Sequence, residues 1–296
     1  MHSNERAALV DAVKQAVKRA AVRLEPSLME ALVQMKGEYE KSLKTTTEGD
    51  RDFGQISSSL TMLSMILENL DIAGRTGRPM CQDTGMLIAF VSIGPDSPFT
   101  MHQLEQIITE ASQKAFTEGS FRYSIVADPL FDRVNTRSNL PILIHWDTVS
   151  EGRGDISVIL KGFGSENCSA MRMFNPTATE EEIVRFICEE VKSSGGKPCP
   201  PVVLGIGIGA SAEGSALLAK KALLRDVGSP NPDGRYAAFE KRILEAVQKT
   251  GVGPGGFGGP LTALGVSVEY APTHIAGLPV SLAISCWADR KGHVSL

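Results

Sequence analysis

"GRPMCQDTGMLIAFVSIG", residues 77–94, is where the chain changes character. Upstream of it, Leu9, Val13, Val17 and Leu24 recur at helical spacing, and Leu28, Leu32 and Met35 repeat the pattern after Pro26, a residue suited to a first helical turn. "QISSSLTMLSMILENLDIA" (55–73) is apolar almost all round, which predicts a buried helix stopping at Gly74. From Met86 onward the apolar residues gather in short β-branched runs edged by Gly or Pro: "GMLIAFVSIG" (85–94), "LPILIHWDTV" (140–149), "DISVILKG" (155–162), "PVVLGIGIG" (201–209), "LGVSVEYA" (264–271) and "LPVSLAIS" (278–285). These read as strands. Between them "MHQLEQIITEASQKAF" (101–116), "TEEEIVRFICEEVKSS" (179–194), "SAEGSALLAKKALL" (211–224) and "RYAAFEKRILEAVQKT" (235–250) read as helices, the second capped by Thr179 and Glu182. The expected fold is mixed α/β (α+β): a helical N-terminal region, residues 1–75, followed by a larger mixed-sheet α/β body, residues 76–296.

The 296 residues can bury a full core, and the hydrophobic share of 42% with 22% charged residues is that of an ordinary globular chain. A net charge of -4 without a basic block offers nothing to nucleic acid or an anionic membrane. No apolar run has the length of a membrane span, and the charged, amphipathic start has no signal-peptide core, so a cytoplasmic location is expected.

Cysteine usage narrows the chemistry. The five cysteines are Cys81, Cys168, Cys188, Cys199 and Cys286, an odd count with no C-x2-C pair. A disulfide framework, a zinc ribbon and a thioredoxin-like site all lack support, leaving reduced thiols that are packed or working. Cys188 shares a helical face with Val184, Ile187 and Val191, which suits a small packed hydrophobe. Cys168 follows glycines and polar residues, near a site but without the marks of a ligand. Cys81, Cys199 and Cys286 each sit where a strand or loop is broken, in backbone of the kind that holds metal-cluster ligands. Three dispersed thiols nevertheless fall one short of the four a redox-only [4Fe–4S] site uses. Hydrophobe, nucleophile and ligand all stay open for Cys81 at this point.

Two glycine-rich stretches suggest ligands. "GIGIGA" (205–210) fits a permissive dinucleotide fingerprint, but no second strand with an acidic end follows; Gly209 to Gly214 has Walker-like spacing, but Ser215 stands where the phosphate-binding lysine belongs. "GPGGFGGP" (253–260) either lets backbone approach a ligand or makes a wide turn. Among the histidines, His145 in "ILIHWD" reads as a strand residue with its own partner, whereas His274 lies in a loop before the strand leading to Cys286.

Five ordered motifs, "CQDTG" (from 81), "KGFGSEN" (from 161), "CPPVVLGIGIG" (from 199), "GPGGFGGPLTALGV" (from 253) and "THIAGLPVSLAISCWADR" (from 273), carry all three of these cysteines. Together they resemble the alpha subunit of class I (iron–sulfur) fumarases and of the related L(+)-tartrate dehydratases. The resemblance implies that Cys81, Cys199 and Cys286 hold three irons of a [4Fe–4S] cluster. The fourth iron is left open as a Lewis acid for a 2-hydroxy acid, which accounts for the absent fourth cysteine. It implies catalytic roles for Asp83 and His274, and substrate contacts from Gln82, from Arg122 in "FRYSIVADP" and from Gly164 in "KGFGSEN". In single-chain relatives the catalytic base lies in a further domain that follows. The resemblance therefore implies a two-subunit enzyme needing a beta subunit, as a dimer of heterodimers or another oligomer, acting on a small dicarboxylate. "KGFGSEN" suggests the fumarase branch, hence reversible hydration of fumarate to (S)-malate. Conversion of L(+)-tartrate to oxaloacetate is the alternative, followed by a non-catalytic scaffold and a nucleotide-binding protein.

Overall fold

A computed structural model describes residues 2–50 and 52–296, so Met1 and Arg51 lie outside the described residues. In chain order the elements are α1 (His2–Val22), α2 (Pro26–Thr45), α3 (Phe53–Thr76), β1 (Met86–Ile93), α4 (Met101–Glu118), β2 (Leu143–Thr148), β3 (Gly154–Lys161) and the single-turn α5 (Phe163–Glu166). They continue with β4 (Ala170–Phe174), α6 (Glu180–Ser194), β5 (Val202–Ala210), α7 (Ala212–Ala222), α8 (Gly234–Gln248), β6 (Ala263–Thr273), β7 (Leu278–Ser285) and β8 (Arg290–Ser295). The fold is mixed α/β with two mixed sheets, and the first three elements are helices, as the periodicity predicts.

Compactness divides the chain differently from its linear order. One unit, unit 1, takes the N-terminal stretch through Leu24, Asn69–Phe163 and Arg290–Leu296. The other, unit 2, takes Glu25–Glu68 and Gly164–Asp289. A boundary near residue 75 follows the switch in periodicity, whereas strand pairing gathers segments distant in sequence.

Unit 1 is built on a sheet in the order β2-β1-β3-β8, with β1 parallel to β2 and antiparallel to β3, and β3 antiparallel to β8. Leu87, Ala89 and Val91 of β1 alternate toward the same core as Ile156, Val158 and Leu160 of β3. Val13 and Val17 of α1, with Leu104, Ile107, Ile108 and Ala111 of α4, close over them. Thr100 starts α4 with a reciprocal capping box to Gln103.

Unit 2 has the order β4-β7-β5-β6, with β5 parallel to β6 and antiparallel to β7. Leu204, Ile206 and Ile208 of β5 pack with Phe186 and Ile187 of α6 and Ile243 of α8. The opposite face of β5 carries Gly205 and Gly207. A Cβ on Gly207 would lie 1.9 Å from the Ser215 carbonyl oxygen, and one on Gly205 would lie 2.1 Å from that of Ala219. These glycines therefore let α7 lie directly on the strand, the helix-packing use of glycine rather than a phosphate cradle. The predicted cap of α6 is present, with Thr179 and Glu182 satisfying each other's backbone N–H.

Two strands and one burial pattern depart from the sequence reading. β4 is an edge strand with exposed Met171, Arg172 and Met173, so its residues show no alternation of burial to read. β8 is "RKGHVS", made a strand by pairing with β3 rather than by β-propensity. α3 is not buried all round. Ile56, Leu63, Ile66 and Leu70 form one covered stripe, while Met65 and Ile72 are exposed. An all-round apolar composition does not say which face finds a partner. Among the described residues no helix is long and apolar enough to cross a membrane.

Candidate functional site

The loop between α3 and β1 carries Cys81, Gln82 and Asp83, and unit 1 secures it on both sides of the cysteine. Met80 donates its N–H to the Ala21 carbonyl at 2.9 Å, and its own carbonyl accepts from Asn69 Nδ2 at 2.8 Å. Asp83 Oδ1 accepts from Gly85 N at 2.9 Å, Asp83 Oδ2 accepts from Phe163 N at 2.8 Å, and the Asp83 carbonyl accepts from Arg290 Nη1 at 2.6 Å. Buried Thr84 donates from Oγ1 to the Arg122 carbonyl at 2.9 Å, which also accepts from Asn139 Nδ2 at 3.0 Å. Gly85 has φ +82°, and a Cβ there would lie 2.8 Å from the Leu160 backbone, so only glycine starts β1 this close to β3. Between the fixed flanks Cys81 is half-buried and Gln82 exposed. The Arg122 side chain is exposed, with its main chain anchored against Thr84. Unit 1 thus brings Cys81, Gln82, Asp83 and Arg122 into one neighbourhood.

Unit 2 brings Cys199, Cys286 and Gly164 together. Because β7 runs antiparallel to β5, with Ser285 opposite Val203, the residue after β7 and the loop before β5 share one end of the sheet. Trp287 N, next to Cys286, donates to the Cys199 carbonyl at 3.4 Å. Cys199 is exposed and holds φ +54°, a left-handed conformation uncommon outside glycine, asparagine and aspartate. Gly164 lies beside the same loop, since a Cβ there would be 3.4 Å from the Lys197 carbonyl oxygen. The single turn α5 that contains Gly164 is held by an ion pair between Glu166 and Lys220 of α7.

The glycine-rich segment 253–260 is a buttress for this end. Gly255 N donates to the Pro200 carbonyl at 2.8 Å, and a Cβ on Gly256 would lie 2.7 Å from the Gly196 Cα. Gly253, Gly255, Gly256, Gly258 and Gly259 all have positive φ. From behind, Ser59 Oγ donates to the Gly258 carbonyl at 2.7 Å, and the buried Tyr39 hydroxyl donates to the Leu261 carbonyl at 3.0 Å.

The remaining residues separate into two groups. Cys168 is buried, its thiol donating to the Gly164 carbonyl at 3.5 Å. Cys188 packs against the unit 2 core, where burial and then the Glu189 carboxylate push its thiol pKa up. Both are packed thiols. His274 is exposed in the β6–β7 connection, with Nδ1 accepting from Ala276 N at 3.1 Å, which leaves the proton of a neutral ring on Nε2. It precedes β7 whereas Cys286 follows it, so the 8 residues of β7 place them about 25 Å apart at a strand rise of about 3.3 Å per residue. Unit 2 does not bring His274 to the cysteine end. Sequence reading missed Thr84, Asn139 and Arg290. Thr84 and Arg290 lie inside quoted motifs, but nothing local marks their hydrogen bonds.

None of the five cysteines is in a disulfide. Among the described residues no three His, Cys, Asp or Glu side chains form a metal-holding group. Within unit 2, the donor chemistry suits a thiolate-bound cluster: Cys199 and Cys286 present two partly accessible thiols from neighbouring backbone at one end of the sheet.

The model of the family "Fumarate hydratase (Fumerase)" matches residues 10–295. The chain belongs to the fumarate hydratase family. Relatives within reach include a Methanocaldococcus jannaschii protein provisionally named L(+)-tartrate dehydratase subunit alpha. It is 42% identical over 239 residues, which cover 79% of this chain and 83% of that protein. The L(+)-tartrate dehydratase subunit alpha of Escherichia coli is 33% identical over 232 residues, covering 77% of this chain and 75% of its own length. A Shigella sonnei protein of the same name is 32% identical over 232 residues. The family match, over residues 10–295, spans all the glycine-rich and cysteine-bearing segments described above.

Proposed function

We propose that this chain is the alpha subunit of a hydro-lyase that reversibly adds water to fumarate to give (S)-malate, with a [4Fe–4S] cluster held by Cys81, Cys199 and Cys286. The observation that carries the reading is the meeting of Cys199 and Cys286 at one strand end, in a chain matched to the fumarate hydratase family over residues 10–295. When bound, the cluster supplies a Lewis-acidic iron with open coordination positions. The helical stretch 1–75 and the body 76–296 are then parts of one alpha-subunit domain.

The chain's own residues do the positioning. Arg122, exposed on an anchored main chain, presents a planar guanidinium suited to one carboxylate of a dicarboxylic acid. Gln82 offers an amide donor and acceptor from the exposed part of its loop. Each Asp83 carboxylate oxygen already accepts one backbone N–H. A carboxylate oxygen accepts more than one hydrogen bond, so Asp83 still orients a substrate hydroxyl or a water. Gly164 leaves space beside Lys197 for the substrate to approach backbone. His274 acts at a site containing Cys199 and Cys286 only when a second copy supplies it, in keeping with a dimer of heterodimers. The base that removes the carbon-bound proton comes from a beta subunit, a partner suggested by the relatives' designation as alpha subunits. We place the enzyme in the cytoplasm.

The same names favour a second reading, dehydration of L(+)-tartrate to oxaloacetate. The two substrates differ by one hydroxyl, and a site built to hydrogen-bond that hydroxyl strongly disfavours an analogue lacking it. Anaerobic co-expression with the beta partner, followed by assays with fumarate, (S)-malate and L(+)-tartrate, decides between them. A complex that holds a cluster but turns over none of the three removes both readings.

A further inference from the structure

Arg290 is an unusual arginine. It opens β8 four residues after Cys286, opposite Leu160 near the end of β3, and only 1% of it is exposed. Its Nη1 donates to the Asp83 carbonyl at 2.6 Å, while its Nε has no hydrogen-bond partner among the described residues. A Cβ on Gly162 would lie 3.3 Å from Arg290 Nη2 and 3.4 Å from Asp83 Oδ2, so a glycine at 162 leaves room for both groups. Desolvating a guanidinium is costly, and leaving one of its N–H groups without an acceptor adds to the cost. An apolar residue would fill the position at less expense, so stability alone does not explain the arginine.

We propose that Arg290 is a positioning residue for the Cys81–Gln82–Asp83 segment. Beyond its local bond from Gly85 N, Asp83 has two long-range ties: its carboxylate to the exit of β3 through Phe163 N, and its carbonyl to the start of β8 through Arg290. The two ties orient the peptide that carries Cys81 and Gln82, and the second reaches it from 207 residues away in the chain. A charge-assisted bond to a main-chain carbonyl holds backbone direction whatever the neighbouring side chains do. The importance of this orientation to turnover rests on the function proposed above; the orientation itself does not.

The test uses the full chain, with Arg290→Met, Arg290→Lys and Gly162→Ala. Iodoacetamide alkylation of each cysteine is followed by mass spectrometry under native conditions without the cluster. In Arg290→Met, Cys81 is expected to react about ten-fold faster, the opening caused by loss of one charge-assisted hydrogen bond. Cys168 and Cys199 keep their rates, and Arg290→Lys falls between parent and Met. In the loaded complex kcat falls more than KM rises, since the loop is misdirected rather than removed. Unchanged Cys81 reactivity in a folded Met variant overturns the proposal, as does equal acceleration of every cysteine, which marks general loosening. Should the Met variant not fold, Gly162→Ala must produce the same Cys81-selective increase, and its absence also overturns the proposal. A parent complex inactive toward all three acids, with the alkylation pattern intact, sinks the proposed function and leaves the positioning role standing.

Discussion

The Cys81 loop of unit 1 and the Cys199–Cys286 end of unit 2 are both rigid, but by different means. Side chains fasten the first: Asn69, Asp83, Thr84 and Arg290 each bind main chain, and the loop conformation follows from their hydrogen bonds. Backbone shapes the second, where five glycines between 253 and 259 take positive φ and two of them, Gly255 and Gly256, meet Pro200 and Gly196. A loop held by several side chains loses one tie at a time. A loop carved from glycine has no intermediate at Gly253 or Gly256, where one added Cβ meets backbone that cannot turn aside.

The largest expected effect tests whether the Cys199–Cys286 end of unit 2 holds a cluster. Cys199→Ser is expected to abolish cluster absorbance after anaerobic reconstitution with the beta partner, whereas Cys188→Ser keeps it. Loss in both removes the ligand assignment, and retention in both does the same. Next comes the carved region alone. Gly253 has φ +68°, and a Cβ there would lie 1.9 Å from the Gly258 carbonyl oxygen. Gly253→Ala should cost about 3 kcal/mol or more in urea unfolding, and a cost below about 1 kcal/mol would show that the loop yields.

A pH series probes the support behind the same loop. Burial pushes the Tyr39 hydroxyl up from its ordinary value to about 12, opposed by the hydrogen bond its oxygen accepts from the Leu261 N–H. The folded value is raised, so this stability is fully present below the unfolded value near 10 and is lost as pH rises through 12. The loss amounts to about 2–3 kcal/mol, read as a fall in unfolding free energy across that window. Tyr39→Phe should flatten the fall, and an identical slope in both proteins would assign it elsewhere. The smallest effect belongs to the side-chain-tied loop. Thr84→Val removes one donor to the Arg122 carbonyl while Asn139 and Ser124 remain. A stability cost of about 1 kcal/mol is expected, together with a raised KM for the dicarboxylate, and a cost as large as that of Gly253→Ala would erase the contrast.

Much of the fold was legible because it rests on local periodicity. The alternation in Leu87, Ala89 and Val91, the helical stripe of Leu28, Leu32 and Met35, and the Thr179 cap each express a preference of a few neighbouring residues. β8 was not legible: Arg290, Lys291 and His293 form a strand only because β3 offers an open edge. The covered stripe of α3 depends on which face meets other elements, information that an all-round apolar helix does not carry. At the site, the cysteines stood out by chemistry and spacing, and the glycine segments by composition. What "GIGIGA" does became plain only when α7 was seen lying on Gly205 and Gly207.

By itself the sequence determined the mixed α/β class, the absence of a disulfide framework, the three cysteines at broken strands or loops as distinct from Cys188 on its helical face, and the resemblance that the family match bears out. Those properties depend on residue identity and near-neighbour spacing. Tertiary structure alone decided that Trp287 meets the Cys199 carbonyl, that His274 sits at the far end of β7, and that an arginine near the C-terminus holds Asp83. Each of these is a relation between segments tens to hundreds of residues apart, created by strand order and register. No window of sequence contains the partner whose hydrogen bond or packing sets the outcome.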